Sequence, residues 1–354
     1  MCMRKVITLL IILSLLILGG CSQGSTNRQT PDDSSKSSGE NGTKLMKLAV
    51  ATNKDRSLTK GLDKFGEIVE SKSNGTIQVE VYPSSQLGGD REVFEALQFG
   101  SIQGTTMSTG PIGQFAPRFN VFDLPFLFPN TEIAYEILDG PIGEELLGEL
   151  DKLNVIGLNY WENGFRHLTN DVKEVRTPAD VEGLKIRTLE NNLHIDIWTE
   201  LGANPTPMAF AELFSGMQQG VVEGQENPIG NVTGSKFYEV QKYLTMTGHV
   251  YNASPFLISK EFWNTLTAEE KKMVEEAADE ARDYQRELNK QEEEDGYKFL
   301  IESGMSIVEL LDEEKEKFVE QVKPVYKKYK ASIGNELVDH LLAEIETLKK
   351  QSGE

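Results

Sequence analysis

Residues 45–82 read LMKLAVATNKDRSLTKGLDKFGEIVESKSNGTIQVEVY, and their pattern decides the fold class. Residues 45–52 are a mostly apolar run of strand length. Residues 57–71 place Leu62, Phe65 and Ile68 on one side of a helix. Asn74-Gly75 is a turn pair, and residues 76–82 alternate Ile77, Val79 and Val81 as a strand with one buried face. Asp90 stands where a side chain can cap a helix over residues 91–99, which Gly100 ends. Residues 102–109 read as a short strand broken by Gly110-Pro111. This β-α-β-α-β order predicts an α/β lobe with helices packed on a sheet.

Further along the chain, the aromatic run FNVFDLPFLF at 119–128 predicts core. Residues 131–150 predict one helix, and 155–160 a strand that Glu162-Asn163-Gly164 interrupts. Thr177-Pro178 is a helix start, 184–188 (LKIRT) a strand carrying a cation, and 193–201 a helix. The stretch 204–227 then reads NPTPMAFAELFSGMQQGVVEGQEN. Pro205 and Pro207 fix an extended entry. A short amphipathic helix follows over 209–219, with Phe210, Leu213, Phe214 and Met217 on its apolar side. Gly220 stops it, Val221-Val222 is strand-like, and the polar run from Glu223 to Asn227 is closed by Pro228. Amide and carboxyl groups crowded in this way suit the floor and wall of a polar-ligand site; the alternative is a solvated loop. Two strand-like pieces, 242–250 and 254–259, come next. Thr267 to Glu270 is a capping box that opens a polar helix over 268–301, whose mixed charges suit a solvated helix along or between lobes. A strand at 306–310 and helices at 312–329 and 335–350 close the pattern.

At the other end, Arg4 and Lys5 precede an apolar run over 6–18, then Gly19-Gly20-Cys21. This is the layout of a secretory signal, too short for a comfortable membrane span. A cysteine directly after Leu-Gly-Gly resembles a bacterial lipoprotein signal, in which Cys21 becomes the acylated N-terminus. Residues 22–42 are Ser-, Gly-, Asn- and Asp-rich, which predicts a disordered tether of roughly 25 Å root-mean-square reach.

The charge bounds the partners. The formal net charge is −20, and loss of Arg4 and Lys5 with the signal takes it to −22. That disfavours nucleic acid and anionic membrane surfaces, so any bound anion must be held by local cations. The two cysteines, Cys2 and Cys21, both precede the globular part, which leaves no disulfide, thiolate catalyst or cysteine metal site in it. The four histidines are scattered, and zinc-ligand spacings and phosphate-binding loops are missing, so neither metal nor cofactor is expected.

Several blocks resemble the extracytoplasmic solute-binding subunits of TRAP transporters, the DctP-type family, here in a lipoprotein form. They are Tyr82-Pro83-Ser84-Ser85-Gln86-Leu87-Gly88 with Asp90-Arg91, Asn163-Gly164-Phe165-Arg166 and Gly183-Leu184-Lys185-Ile186-Arg187. Pro205-Thr206-Pro207-Met208-Ala209-Phe210, Gly224-Gln225-Glu226-Asn227-Pro228 and the run from Phe237 to Leu244 follow in family order. The resemblance covers about residues 46–260. It implies a two-lobed periplasmic-binding-protein-like α/β fold with hinge strands and a long lobe-spanning helix. The implied organisation is a signal at 1–20, a tether at 21–44, lobe I at 45–164 plus 253–292, and lobe II at 165–252 plus 293–350.

It further implies reversible capture of an organic acid by lobe closure, delivery to a membrane permease, a lipid-anchored extracytoplasmic location, a monomer and no catalysis. In the family the arginine of the GLKIR strand clamps the carboxylate, a role that falls on Arg187; a planar guanidinium offers paired charge-assisted bonds that lysine cannot. Arg166 matches the second family arginine, Asn227 the pocket amide and Phe210 an apolar wall. Asp90 and Gln86 lie in the first-lobe block, where they can accept from ligand hydroxyls. The sialic-acid-binding members carry a glutamate in the strand that here reads Thr105 to Thr109, and an asparagine where Ala51-Thr52 stands. The expected ligand is therefore a smaller acid, a sugar acid such as a hexuronate or a C4-dicarboxylate. Trp161 and Asn163, as a stacking face and a polar contact, favour the sugar acid. Two other readings remain open at this point: a binding lipoprotein of an ATP-driven importer or chemoreceptor, and a hydrolase acting through Glu223 and Glu226.

Overall fold

The computed structural model describes residues 43–353, so the signal segment, Cys21 and nearly all of the tether lie outside the described residues. One mixed sheet of nine strands organises the rest. Its strands are β1 Lys44–Ala49, β2 Ile77–Tyr82, β3 Gly104–Thr106, β4 Val155–Asn170, β5 Lys185–Thr188, β6 Asn204–Pro207, β7 Gly224–Asn227, β8 Tyr243–Ser259 and β9 Ser306–Glu309. The order is β2-β1-β3-β8-β4-β7-β5-β6, with β9 also on β8. Two parallel triplets, β2-β1-β3 and β7-β5-β6, flank a central antiparallel ribbon of β4 and β8.

That ribbon is the feature that places the site. β4 has 16 residues and β8 has 17, so each is about 50 Å long at roughly 3.3 Å per residue. β3 pairs with one end, through Gly104 on Ile258 to Thr106 on Phe256. β7 pairs with the other, through His167 on Asn227 to Asn170 on Gly224. Each long strand therefore belongs to both halves of the sheet.

The expected interruptions in these strands are absent. Glu162-Asn163-Gly164 does not end β4; the pairing register slips there and the strand continues. Gly164 has φ +113°, a conformation L side chains rarely adopt, and it provides the bulge. The pieces 242–250 and 254–259 are likewise one strand, because Tyr251, Asn252 and Ala253 stay paired with β4. The polar run before Pro228 is no loop: β7 is a central strand, buried throughout. Val221-Val222 precedes it as irregular chain, with Val221 exposed.

Helices mostly follow the pattern, with local exceptions. α1 (Ser57–Lys72) packs Leu58, Leu62 and Phe65 into the core. α2 (Asp90–Gln98) begins at Asp90 itself; Gly89 takes the cap position, and Asp90 makes no capping bond. The expected single helix over 131–150 is divided into Thr131–Leu138 and Pro141–Glu149, since Pro141 lacks the N–H needed to continue and fits a first turn. Only Gly104–Thr106 of the expected 102–109 strand pairs, and Thr109–Ile112 turns helical. The 209–219 helix is a 3₁₀ turn, Phe210–Glu212, running into Leu213–Gln218. The aromatic run is core, with Phe119, Phe122 and Phe128 buried.

The long helix, Ala268–Glu302, has 35 residues and spans about 52 Å, matching the ribbon. Its Thr267–Glu270 capping box forms reciprocally. Val274, Ala277 and Ala281 pack with α1, while Gly296 and Leu300 pack with the segment after β7. Between them Gln285 accepts from the Glu162 amide at 3.0 Å and donates to the Glu162 carbonyl at 2.6 Å, so the helix is bonded to β4 at the bulge.

Glu293, on the same helix, accepts from the Gly230 amide at 2.8 Å. Burial pushes its carboxyl up to about 7 from the ordinary 4.5; nearby Glu162 adds to this and Arg56 opposes it. A raised native value means the folded state holds the proton more tightly. The stabilisation is thus complete below about pH 4.5 and is lost as pH rises through 7. Urea unfolding at pH 4.5 and 7.5 is expected to show Glu293→Gln losing on the order of 2–3 kcal/mol less than the parent over that interval.

Candidate functional site

Two arginines are buried at the centre of the sheet, Arg166 on β4 and Arg187 on β5, with β7 between these strands. Arg166 is fully buried and already taken. Its Nε and Nη2 donate to the two carboxylate oxygens of Glu226 on β7, Nη2 also to the Glu226 carbonyl at 2.5 Å, and Nη1 to Asn252 Oδ1 at 3.0 Å. His249 Nε2 lies 3.1 Å from Glu226 Oε2. Burial alone raises the Glu226 value, but the Arg166 guanidinium and His249 hold it well below the ordinary carboxylate range. Burial and the Arg166 charge lower His249 despite that contact.

Arg187 is different. Its Nε and Nη2 share the Met208 carbonyl at 2.8 and 2.6 Å, and Nη1, buried, has no hydrogen-bond partner among the described residues. Desolvation lowers its value to about 10, so it remains a cation at neutral pH. The Nε–Nη2 edge is fixed on backbone while the Nη1–Nη2 end is free to bond. A buried, preorganised guanidinium with one open edge has the donor geometry that suits a carboxylate.

Beside Asn227, which Arg166 bonds, is a cavity of about 30 Å³, room for about one water molecule. Asp90, Asn163, Phe210 and Asn227 line it, together with Asn231 and Thr52. The walls come from both halves of the sheet. Burial pushes the Asp90 carboxyl up to about 6, with the Arg187 charge opposing the rise. Asn227 Oδ1 accepts from Asn231 at 3.0 Å and from Arg166 at 3.3 Å, and its Nδ2 donates to Gln225. Phe210 packs edge-to-face on Phe237.

Four of the seven expected contacts thus share one cavity; neither arginine lines it, Arg166 reaching its wall through Asn227 and Arg187 through its charge on Asp90. Gln86 lies apart, exposed in the turn after β2. Trp161 is no stacking face: it is fully buried, donates to Asn159 Oδ1 at 2.9 Å and packs on Phe256. Glu226 is no catalyst either, because Arg166 and His249 occupy its oxygens. Asn231 and Asn252 were not foreseen; each is an asparagine within an apolar element, which is the signal that could have marked them. A larger open groove of about 1010 Å³ runs between the long helix and β4. Six carboxyl residues line it against three lysines and arginines, which disfavours an anion.

Glu226→Gln removes the carboxylate that Arg166 is bonded to, in a site holding two arginines. It is expected to cost about 3–5 kcal/mol in urea unfolding, the range for stranding a buried charge. Arg187→Ala, which breaks no ion pair, is expected to cost clearly less in the same assay.

Residues 48–332 match the family described as bacterial extracellular solute-binding protein, family 7. The chain is similar to the C4-dicarboxylate-binding protein DctB of Bacillus subtilis, 36% identical over 289 residues, 80% of this chain and 82% of that one. It is also similar to the crystal structure of the sugar acid binding protein DctPAm from Advenella mimigardefordensis in complex with galactonate. The identity is 39%, with a TM-score of 0.84, over 86% of this chain and 98% of that one. A TRAP periplasmic solute binding protein from Polaromonas, bound to D-erythronate, gives 39% identity and a TM-score of 0.82 over 85% and 98% of the two chains.

Proposed function

The chain belongs to family 7 of the bacterial extracellular solute-binding proteins, and on that premise we propose that it captures a sugar acid or C4-dicarboxylate between two lobes for a TRAP-type permease. The observation that carries this reading is the unpartnered Nη1 of buried Arg187, whose charge acts on Asp90 in the cavity wall. A carboxylate seated there gains paired charge-assisted hydrogen bonds, and the cost of desolvating the arginine has already been met by the fold. Arg166 serves the site indirectly by fixing Glu226 and Asn227.

The wall favours a polyhydroxy acid. Asp90, Asn163, Asn227, Asn231, Thr52 and Ser108 supply acceptors and donors for hydroxyl groups, more than the second carboxylate of a succinate can use. Of the stretch Thr105 to Thr109, where the sialic-acid-binding members carry a glutamate, Thr106, Met107 and Ser108 line the cavity and none is a carboxylate. A six-carbon acid does not fit in about 30 Å³, so entry requires the lobes to part. The hinge is then the middle of the β4–β8 ribbon, with lobe I over 45–164 plus 253–292 and lobe II over 165–252 plus 293–350.

The relatives are solute-binding components of transporters rather than enzymes, in accord with the engagement of Glu226. Among the described residues no helix is long and apolar enough to cross a membrane. We assign membrane attachment to acylation at Cys21, with the protein working as a monomer on the outer face.

Thermal shift over D-galactonate, D-erythronate, D-galacturonate and succinate tests the reading, since a ligand that binds only the folded state raises the melting temperature. At least one sugar acid is expected to bind more tightly than succinate. Arg187→Ala is expected to lower its affinity by about 2–5 kcal/mol in calorimetry, and Arg187→Lys to restore only part. No shift with any of the four acids would remove the reading.

A further inference from the structure

Arg56 holds a position that a helix N-terminus ordinarily rejects. It is the cap residue of α1 with no side-chain cap bond, and a cation there opposes the helix dipole. Yet its side chain is only 3% exposed. The guanidinium leaves its own helix and crosses between the halves of the sheet. Nε donates to Asn231 Oδ1 at 3.0 Å, Nη2 to Asn163 Oδ1 at 3.1 Å and Nη1 to Glu292 on the long helix. Asn231 and Asn163 both line the cavity, and Asn231 in turn donates to Asn227.

The segment it meets, Ile229–Gly234, follows β7 and is shaped to receive it. A Cβ on Gly230 would lie 1.7 Å from Arg56 Nη1, and one on Gly234 2.9 Å from Arg56 Cδ. Neither glycine has a positive φ, so their small size is explained by this contact. Asn53, three residues before Arg56, adds a bond from its Nδ2 to the Gly234 carbonyl at 2.5 Å.

We propose that Arg56 is the clasp of the closed form: it links α1, the long helix and the Asn231–Asn227 wall, so that closure and the placement of the ligand-facing amides are one event. The role rests on the reading of the cavity as an acid site between lobes. Arg56 touches no ligand and acts as a positioning residue. Lysine in its place keeps a cation for Glu292 but cannot hold two amides in one plane.

The test measures two quantities on the folded chain. One is stopped-flow binding of D-galactonate and D-erythronate. The other is the distance between spin labels at Ser71→Cys and Glu182→Cys, one on each half, with Cys2 and Cys21 replaced by serine. In Arg56→Ala the dissociation rate is expected to rise about tenfold or more with association little changed, because the bonds lost form only after encounter. The label distance is expected to lengthen without ligand. Gly230→Ala, which keeps the charge and displaces it, is expected to reproduce both effects, and Arg56→Lys to give an intermediate dissociation rate. Wild-type rates and distances in folded Arg56→Ala and Gly230→Ala would overturn the clasp. If the parent protein binds neither acid, the acid-site reading fails on its own, and the ligand-free distance alone decides for or against the clasp.

Discussion

Everything at the centre of this molecule depends on keeping two arginines charged and buried side by side. Taking a guanidinium out of water is costly, and two near each other cost more. Glu226 resolves most of that conflict. It neutralises Arg166 with a two-oxygen contact, and its charge also raises the Arg187 value. The result is an asymmetric pair in which one arginine is structural and the other keeps an unfilled edge. A symmetric sharing of Glu226 would have left neither arginine with an unfilled edge.

The sheet supplies the geometry for that asymmetry. β7 lies between β4 and β5, so Glu226 and Asn227 are carried into the space separating the arginines. The Gly164 bulge bends β4 two residues before Arg166, and the long helix is bonded to the same place through Gln285. Bulge, charge pair and part of the cavity wall are therefore built on adjacent residues. A movement of one half relative to the other changes the cavity first, since its wall is drawn from both.

How much of this was legible in the sequence follows from what each element buries. β1, α1 and β2 alternate or repeat in the ordinary way because their polar faces meet solvent, and they were readable. β4, β7 and β8 were not, because their interiors carry buried polar groups. Asn163, Asn252 and the GQEN run look like breaks or loops, since polar residues in a central strand are rare unless every group is paired. Here most are paired with groups 60 residues or more away in sequence, as in Arg166 with Glu226 and with Asn252 Oδ1, while Asn252 Nδ2 has no partner. The Arg187 and Asn227 assignments came from family motifs and not from periodicity. Trp161 misled because a tryptophan beside a polar run suggests a binding face, whereas strand alternation sends it into the core. Arg56 carried a signal, a cation at a helix start, but its partners lie 107 to 236 residues away.

The most direct test of the account is a crystal structure of the protein with D-galactonate or D-erythronate bound. The carboxylate is expected within about 3 Å of Arg187 Nη1, with Arg166 still on Glu226 and Asn231 still on Arg56. A carboxylate held by Arg166 after displacement of Glu226, or an acid bound away from Arg187 altogether, would contradict it.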